Sequence, residues 1–163
     1  MPMTIIRAAA TTANLGPGFD CLGLALDLWN ETRFTLINDP TKIVIQGEGK
    51  DTLPKDGNNL IALAAQKVYQ KIGVPPPGLF IQCHNRIPLD SGLGSSAAAT
   101  LTGLLGANAL LGNPLTSNDL LELGAQIEGH ADNIVPALLG GLTIAVEDKG
   151  EIISRSYPPT DFK

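Results

Sequence analysis

Pro88-Leu89-Asp90-Ser91-Gly92-Leu93-Gly94-Ser95-Ser96-Ala97-Ala98 is a glycine turn that runs straight into a helix with no polar face. Ala97, Ala98, Ala99, Leu101, Leu104, Leu105, Ala107 and Leu110 leave no hydrophilic stripe between residues 95 and 111, so this helix must be covered on most sides. Gly92 and Gly94 take away side chains that would hold an anion off the backbone. The N–H groups of Gly94, Ser95 and Ser96 can then converge on one point, helped by the positive end of the helix. The two serine hydroxyls supply further donors, or an oxygen ligand for Mg²⁺. Such a site suits a polyphosphate, as in phosphoryl transfer. A serine-capped helix after an ordinary glycine turn has the same local pattern. Against it stands the apolar helix, which gains little from two closely spaced glycines unless something must approach the backbone.

Two other phosphate loops are excluded by their own requirements. No lysine follows Gly94, as a P-loop demands. Gly92-Leu93-Gly94-Ser95-Ser96-Ala97 spells a dinucleotide fingerprint, but the glycines lie well beyond the strand ending near His84, with Pro88 between. More helix, rather than a second strand with an acidic residue, occupies the next 20 or so positions.

Working outward, Leu79 to His84 reads as a strand. Before it, Ile61, Ala64, Ala65, Val68 and Ile72 form a helical stripe, with Asn58 or Asn59 as N-cap, Gly73 at the C-terminus, and Pro75-Pro76-Pro77 preventing continuation. Gly47 to Asn59 is a polar surface loop. Thr4 to Ala9, Thr32 to Asn38 and Ile43 to Gln46 read as strands, and Thr11 to Gly18 as a loop of small residues whose glycines flank a proline. Downstream, Gly112-Asn113-Pro114 stops the apolar helix, and Thr116 or Ser117 caps a third helix reaching about Glu128. A helical turn at Ile134 to Leu138 and strands Gly141 to Val146 and Ile152 to Tyr157 follow. Strands and helices without a steady βαβ rhythm indicate an α+β layer fold. Residues 1–163 read as one domain, and the proline-rich end from Pro158 to Lys163 as a break inside a longer chain.

Of the 163 residues 44% are hydrophobic and 17% charged, a globular composition. A net charge of −5 argues against non-specific binding to nucleic acid or an anionic membrane, though not against an anionic ligand held by backbone amides. Cys21 and Cys83 have no metal or redox spacing and read as buried free thiols. There is neither a signal-peptide pattern nor a bilayer-length apolar run, so the chain reads as soluble and cytoplasmic.

The loop from Pro88 to Ala98 resembles the phosphate-binding motif of the kinase superfamily named for galactokinase, homoserine kinase, mevalonate kinase and phosphomevalonate kinase, the GHMP kinases. Ala10-Thr11-Thr12-Ala13-Asn14-Leu15-Gly16-Pro17-Gly18-Phe19-Asp20-Cys21-Leu22-Gly23 resembles the amino-terminal signature of homoserine kinases. Glu128-Gly129-His130-Ala131-Asp132-Asn133-Ile134-Val135-Pro136-Ala137 is similar to their second signature, with Gly140-Gly141 following. The resemblance runs through essentially the whole chain. It implies the family's amino-terminal ATP-binding domain: a sheet packed on helices, related to a domain of a ribosomal protein and of elongation factors. It also implies ATP and Mg²⁺ as cofactors, and phosphorylation of the homoserine hydroxyl to O-phosphohomoserine in threonine biosynthesis.

By the same resemblance, Asn14, Asp20 and His130 hold the substrate, although Asn and Asp also favour turns and a lone His is often structural. Asn133 lies near the transferred phosphoryl group. Asp132 has either a direct role or an N-cap role. Ser96 and Glu122 hold Mg²⁺, with Glu128 the alternative carboxylate, and Asn59 reads the adenine edge or else caps its helix. No residue stands out as catalytic base, so catalysis would proceed by positioning and charge neutralisation. The family's second half, with its arginines for the substrate carboxylate, has no counterpart here, and negligible turnover is expected from this chain alone. The family is often dimeric. Two other functions fit the same fold: a kinase acting on an isoprenoid precursor or sugar, and a non-catalytic binding module.

Overall fold

A strand of twenty residues organises the molecule, whose computed structural model describes residues 2–158; the last part of the expected chain break, residues 159–163, lies outside them. The elements are β1 (Met3–Leu15), β2 (Gly18–Ile37), β3 (Lys42–Gly47), α1 (Leu60–Ile72), β4 (Gly78–Asn85), α2 (Ser95–Leu110), α3 (Ser117–Glu128), α4 (Ile134–Leu139), β5 (Leu142–Asp148) and β6 (Glu151–Tyr157). β1 pairs along one edge of β2, from Met3 opposite Thr35 to Leu15 opposite Gly18. The other edge is shared, by β4 at Glu31–Ile37 and by β5 at Leu22–Leu24. β3 adds to β4 in parallel and β6 to β5 antiparallel, giving a mixed sheet backed by helices. A parallel pair needs a crossover, which α1 provides between β3 and β4.

The expected loop over residues 11–18 shrinks to a turn at Gly16 and Pro17, because β1 runs on to Leu15 and β2 begins at Gly18. Alanine signals a strand weakly by itself. Here Ala8, Ala10 and Thr11 have no exposed surface, and pairing across β2 keeps the segment extended.

Each helix buries the face its sequence marks. Ile61, Ala64, Ala65 and Val68 of α1 pack on Phe34, Ile43, Ile45 and Ile81 of the sheet. Asn59 caps α1 by accepting from the Ile61 N–H, and Gly73 closes it in the left-handed region, donating to the Tyr69 and Gln70 carbonyls. α2 is buried along most of its length. A Cβ on Gly103 would stand 2.2 Å from the Ile61 carbonyl oxygen, and one on Gly106 2.5 Å from the Phe34 ring. These glycines let α2 close directly onto α1 and β2. Past its end, Asn108 bonds both the N–H and the C=O of Leu115, clipping the connection to α3. α3 packs on a second core built from Leu121, Ile134, Val135, Ala145 and Ile152.

The thiols differ more than expected. Cys21 is only half-buried, whereas Cys83 is buried and its thiol is pushed up to about 11 by that burial, the Thr32 hydrogen bond pulling weakly the other way.

α3 begins with a capping box. Thr116 Oγ1 accepts from the Asp119 N–H, and Asp119 Oδ2 accepts from the Thr116 N–H at 2.9 Å and its hydroxyl at 2.6 Å. Those Thr116 bonds, with Lys71 3.2 Å away, hold the Asp119 carboxyl at about 2 instead of 3.8. A carboxyl lowered in the folded state stabilises it above its unfolded value and stops doing so as pH falls through the folded one. Asp119→Asn is therefore expected to cost a few tenths to about 1 kcal/mol near neutral pH. The gap to the parent should close as pH falls from about 4 to about 2. Urea unfolding across that range measures it, and a pH-independent gap would contradict the assignment.

Candidate active site

The glycine loop between β4 and α2 is held at both ends and left open in the middle. At its start, Asn30 Oδ1 on β2 accepts from the Arg86 N–H at 2.7 Å and the Ile87 N–H at 3.0 Å. Towards its end, the Thr11 N–H on β1 donates to the Leu93 carbonyl at 3.1 Å. Between them Asp90, Gly92 and Gly94 all have positive φ, of 52°, 72° and 64°. A Cβ on Gly92 would meet nothing within 4 Å, so this glycine serves its backbone angle and faces open space. Gly94 differs. A Cβ there would lie 2.0 Å from Thr11 Oγ1 and 3.1 Å from Asn133 Oδ1, so the group that Gly94 admits is a side chain of the same protein. The reading that both glycines clear room for an anion does not hold for Gly94.

Gly94 is the N-cap of α2 without any side-chain cap bond, and no acidic residue occupies the first turn. The first helical bond runs from the Ala98 N–H to the Gly94 carbonyl, which leaves the N–H groups of Ser95, Ser96 and Ala97 unpaired among the described residues. A cavity of about 510 Å³ lies beside Ser95 and Ser96. Leu89, Asp90, Ser95 and Ser96 line its near end, and Ile45, Leu53, Pro54, Asn59, Ile61 and Cys83 its far end. The segment 47–59 is thus a wall of this cavity as well as a surface loop. It is stapled to the start of the glycine loop by the Asn85 Nδ2 bond to the Glu48 carbonyl. Asn59 stands in this wall with its amide already engaged, Oδ1 by the Ile61 N–H and Nδ2 by the Pro54 carbonyl at 2.8 Å. Of its two expected roles, capping is the one the geometry displays.

Ser96 donates to Glu128 Oε1 at 2.9 Å, and Thr100, one turn further along α2, donates to the same oxygen at 2.6 Å. The carboxylate beside Ser96 is therefore Glu128, not Glu122. Glu122 lies 3.9 Å from Lys71 of α1. Six residues on a helix place two side chains roughly 120° apart around its axis, so one face of α3 cannot present both.

On the other side of Gly94 stands a second polar group. Thr11 Oγ1 donates to Asn133 Oδ1 at 2.8 Å. Asp132, 2% exposed, accepts from Asn133 Nδ2 at 3.3 Å and lies 2.7 Å from His130 Nδ1, so its carboxylate orders its neighbours and does not cap α4. A Cβ on Gly23 would be 2.0 Å from the Asp132 carbonyl, which brings the β1–β2 hairpin hard against this turn. Asn14 and Asp20 sit at the exposed end of that hairpin, both with positive φ, and Asn14 Oδ1 accepts the Asp20 N–H at 3.2 Å. Asn14 thus does the turn work expected of an asparagine there, and the Asp20 carboxylate points to no partner among the described residues. Thr11, Asn30 and Thr100 carried no distinct functional signal in the sequence, because their importance comes from contacts with residues far along the chain.

A family model described as "GHMP kinases N terminal domain" matches residues 59–141, just over half of the chain. A homoserine kinase from Moorella thermoacetica is 46% identical over 159 residues, covering 96% of this chain and 53% of that protein. One from Caldanaerobacter subterraneus is 49% identical, covering 92% and 48%. The crystal structure of homoserine kinase from Cytophaga hutchinsonii superposes with a TM-score of 0.83 at 33% identity, covering 96% of this chain and 52% of the other. The chain thus spans about half the length of the curated relatives it matches. Mevalonate kinase from Methanococcus jannaschii, at 16% identity and a TM-score of 0.73, shares the fold.

The two loop glycines should respond differently to a methyl group. Gly92→Ala incurs only the left-handed backbone cost, about 1–2 kcal/mol. Gly94→Ala adds a clash with a side chain that cannot retreat, for a loss of about 3 kcal/mol or more. Chemical denaturation of both variants tests this, and equal losses would show that Thr11 yields.

Proposed function

The chain belongs to the GHMP kinases, and from that premise we propose that it is the ATP-binding half of a homoserine kinase, which phosphorylates the substrate hydroxyl. The observation that carries the proposal is the start of α2, whose first-turn amides are unpaired among the described residues and whose Ser95 and Ser96 line the cavity. An internally capped helix could not seat a triphosphate. Here the Ser95, Ser96 and Ala97 amides, at the positive end of a sixteen-residue helix, are placed to receive one. The apolar far end of the cavity suits a base, with one hydrogen on Asn59 Nδ2 still available to it.

The donor set fits Mg²⁺. Among the described residues no three His, Cys, Asp or Glu side chains cluster. Mg²⁺ is commonly held by one or two carboxylates together with phosphate oxygens and water. Glu128, with the hydroxyls of Ser96 and Thr100 gathered on it, offers a hard oxygen site beside the phosphate amides. When bound, Mg²⁺ would neutralise phosphate charge. Asn133, at the rim of the loop, would donate to the transferred phosphoryl group. Asp20 would accept from the substrate ammonium, and Asn14 and His130 would complete the contact. The substrate oxygen bonds to the γ-phosphorus as the bond to the β-phosphate bridging oxygen breaks, ADP leaves, and the hydroxyl proton passes to solvent. These residues act by position and charge, without a dedicated base.

Mg-ATP at about ten times its dissociation constant should raise the melting temperature by roughly 3–5 °C. Ser96→Ala and Glu128→Gln should abolish the Mg²⁺-dependent part of the rise, while Glu122→Gln keeps it. Loss of that part in Glu122→Gln alone would restore the other carboxylate, and no shift with Mg-ATP would remove the kinase reading. For the substrate, homoserine added to the ¹⁵N-labelled chain with Mg-ADP should move the amide resonances of Asn14, Asp20 and His130. Movement with mevalonate or galactose but not homoserine would transfer the chain to another branch of the family.

A further inference from the structure

The Asn133 amide has two ends, and the geometry accounts for both. Asp132 can only accept through its carboxylate, so an amide oxygen turned towards it would be repelled. Nδ2 therefore faces Asp132 at 3.3 Å, and Oδ1 is left to Thr11 at 2.8 Å. With Oδ1 held by Thr11 and one Nδ2 hydrogen on Asp132, the donor that remains for a ligand is the second Nδ2 hydrogen. Thr11 is itself immobilised. It has no exposed surface, its N–H holds the Leu93 carbonyl, and its hydroxyl fills the space where Gly94 lacks a Cβ. One residue of β1 thus joins the end of the glycine loop to the side chain beside it.

We infer that Thr11 is a positioning residue, which locks the Asn133 amide with its donor turned towards the phosphoryl group that the loop receives. The lock rests on the contacts alone; that its target is a phosphoryl oxygen rests on the kinase reading above. Thr11 touches no reacting atom. Asp132 sets which way the Asn133 amide faces, and the Thr11 hydroxyl, donating to Oδ1, holds it there; an oxygen turned outward would set a partial negative charge against an anion. On that reading Asn133 meets only the terminal phosphoryl group, so the lock strengthens binding of the triphosphate relative to the diphosphate.

The test uses the ¹⁵N-labelled chain, with the Asn133 side-chain NH₂ pair identified by its loss in Asn133→Asp. Thr11→Val keeps the shape and removes the donor; Thr11→Ser keeps the donor and removes the methyl group. The Asn133 pair should shift or broaden in Thr11→Val and stay at its parent position in Thr11→Ser. The preference for Mg-ATP over Mg-ADP, as a ratio of dissociation constants, should fall roughly tenfold in Thr11→Val, the usual size for a hydrogen bond to a charged group, and hold within about twofold in Thr11→Ser. If Thr11→Val leaves the pair in place, or if Thr11→Ser behaves like Thr11→Val, the inference is overturned. If the parent binds neither nucleotide, the kinase reading fails while the resonance comparison still decides whether Thr11 holds Asn133. Should Thr11→Val not fold, Thr11→Cys, a weak donor of similar size, takes its place with the same expected loss.

Discussion

A sixteen-residue helix without a polar face has to be enclosed, and the enclosure of α2 sets the terms for the rest of this molecule. Its flanks are closed by α1, by the sheet and by α3, with Gly103 and Gly106 bringing backbone and ring into direct contact. A side chain at either position would push the layers apart and cost packing along the whole length. Apart from the partly exposed Ala99 and Leu105, this helix meets solvent at its ends. The C-terminal end is stoppered by Asn108 and the 112–115 turn. The N-terminal end stays open, and there the unpaired amides accumulate.

Polar residues from distant parts of the chain gather around that opening because the sheet order brings them there. β2 carries Asn30 to the start of the glycine loop, and β1 carries Thr11 to its end. The last residue of α3 reaches back to Ser96 and Thr100, and the turn before α4 sets Asn133 against Gly94. The buried side-chain polar atoms are paired throughout the described residues, so these contacts amount to a satisfied network. A site arranged in this way binds by geometry already in place, and binding need not reorganise the core.

Much of this was legible beforehand. The apolar run after Gly94, the stripe and caps of α1, the Thr116 start of α3 and the glycine loop follow from local rules of periodicity, capping and turn geometry. Those rules act over a few residues and leave their mark in the order of the letters. The resemblance to homoserine kinases likewise singled out Asn59, Ser95 and Ser96, which line the cavity. The length of β1 and β2 was not legible, because the alanines of β1 and the glycines and leucines at the start of β2 become strand only when a partner lies alongside. Nor was the choice between Glu122 and Glu128, which turns on the face of α3 that α2 happens to meet.

The sequence by itself determined which segments would be helix, where each would stop, and that a helix without a polar face would begin at a glycine loop. Only the tertiary structure decided that Gly94 makes room for Thr11, that Glu128 stands beside Ser96, and that Asn59 spends its amide on a cap. The division is physical. Local conformational preferences are set by neighbours in the chain, whereas the partner of a hydrogen bond spanning 122 residues, such as that from Thr11 to Asn133, exists only once packing has fixed both ends.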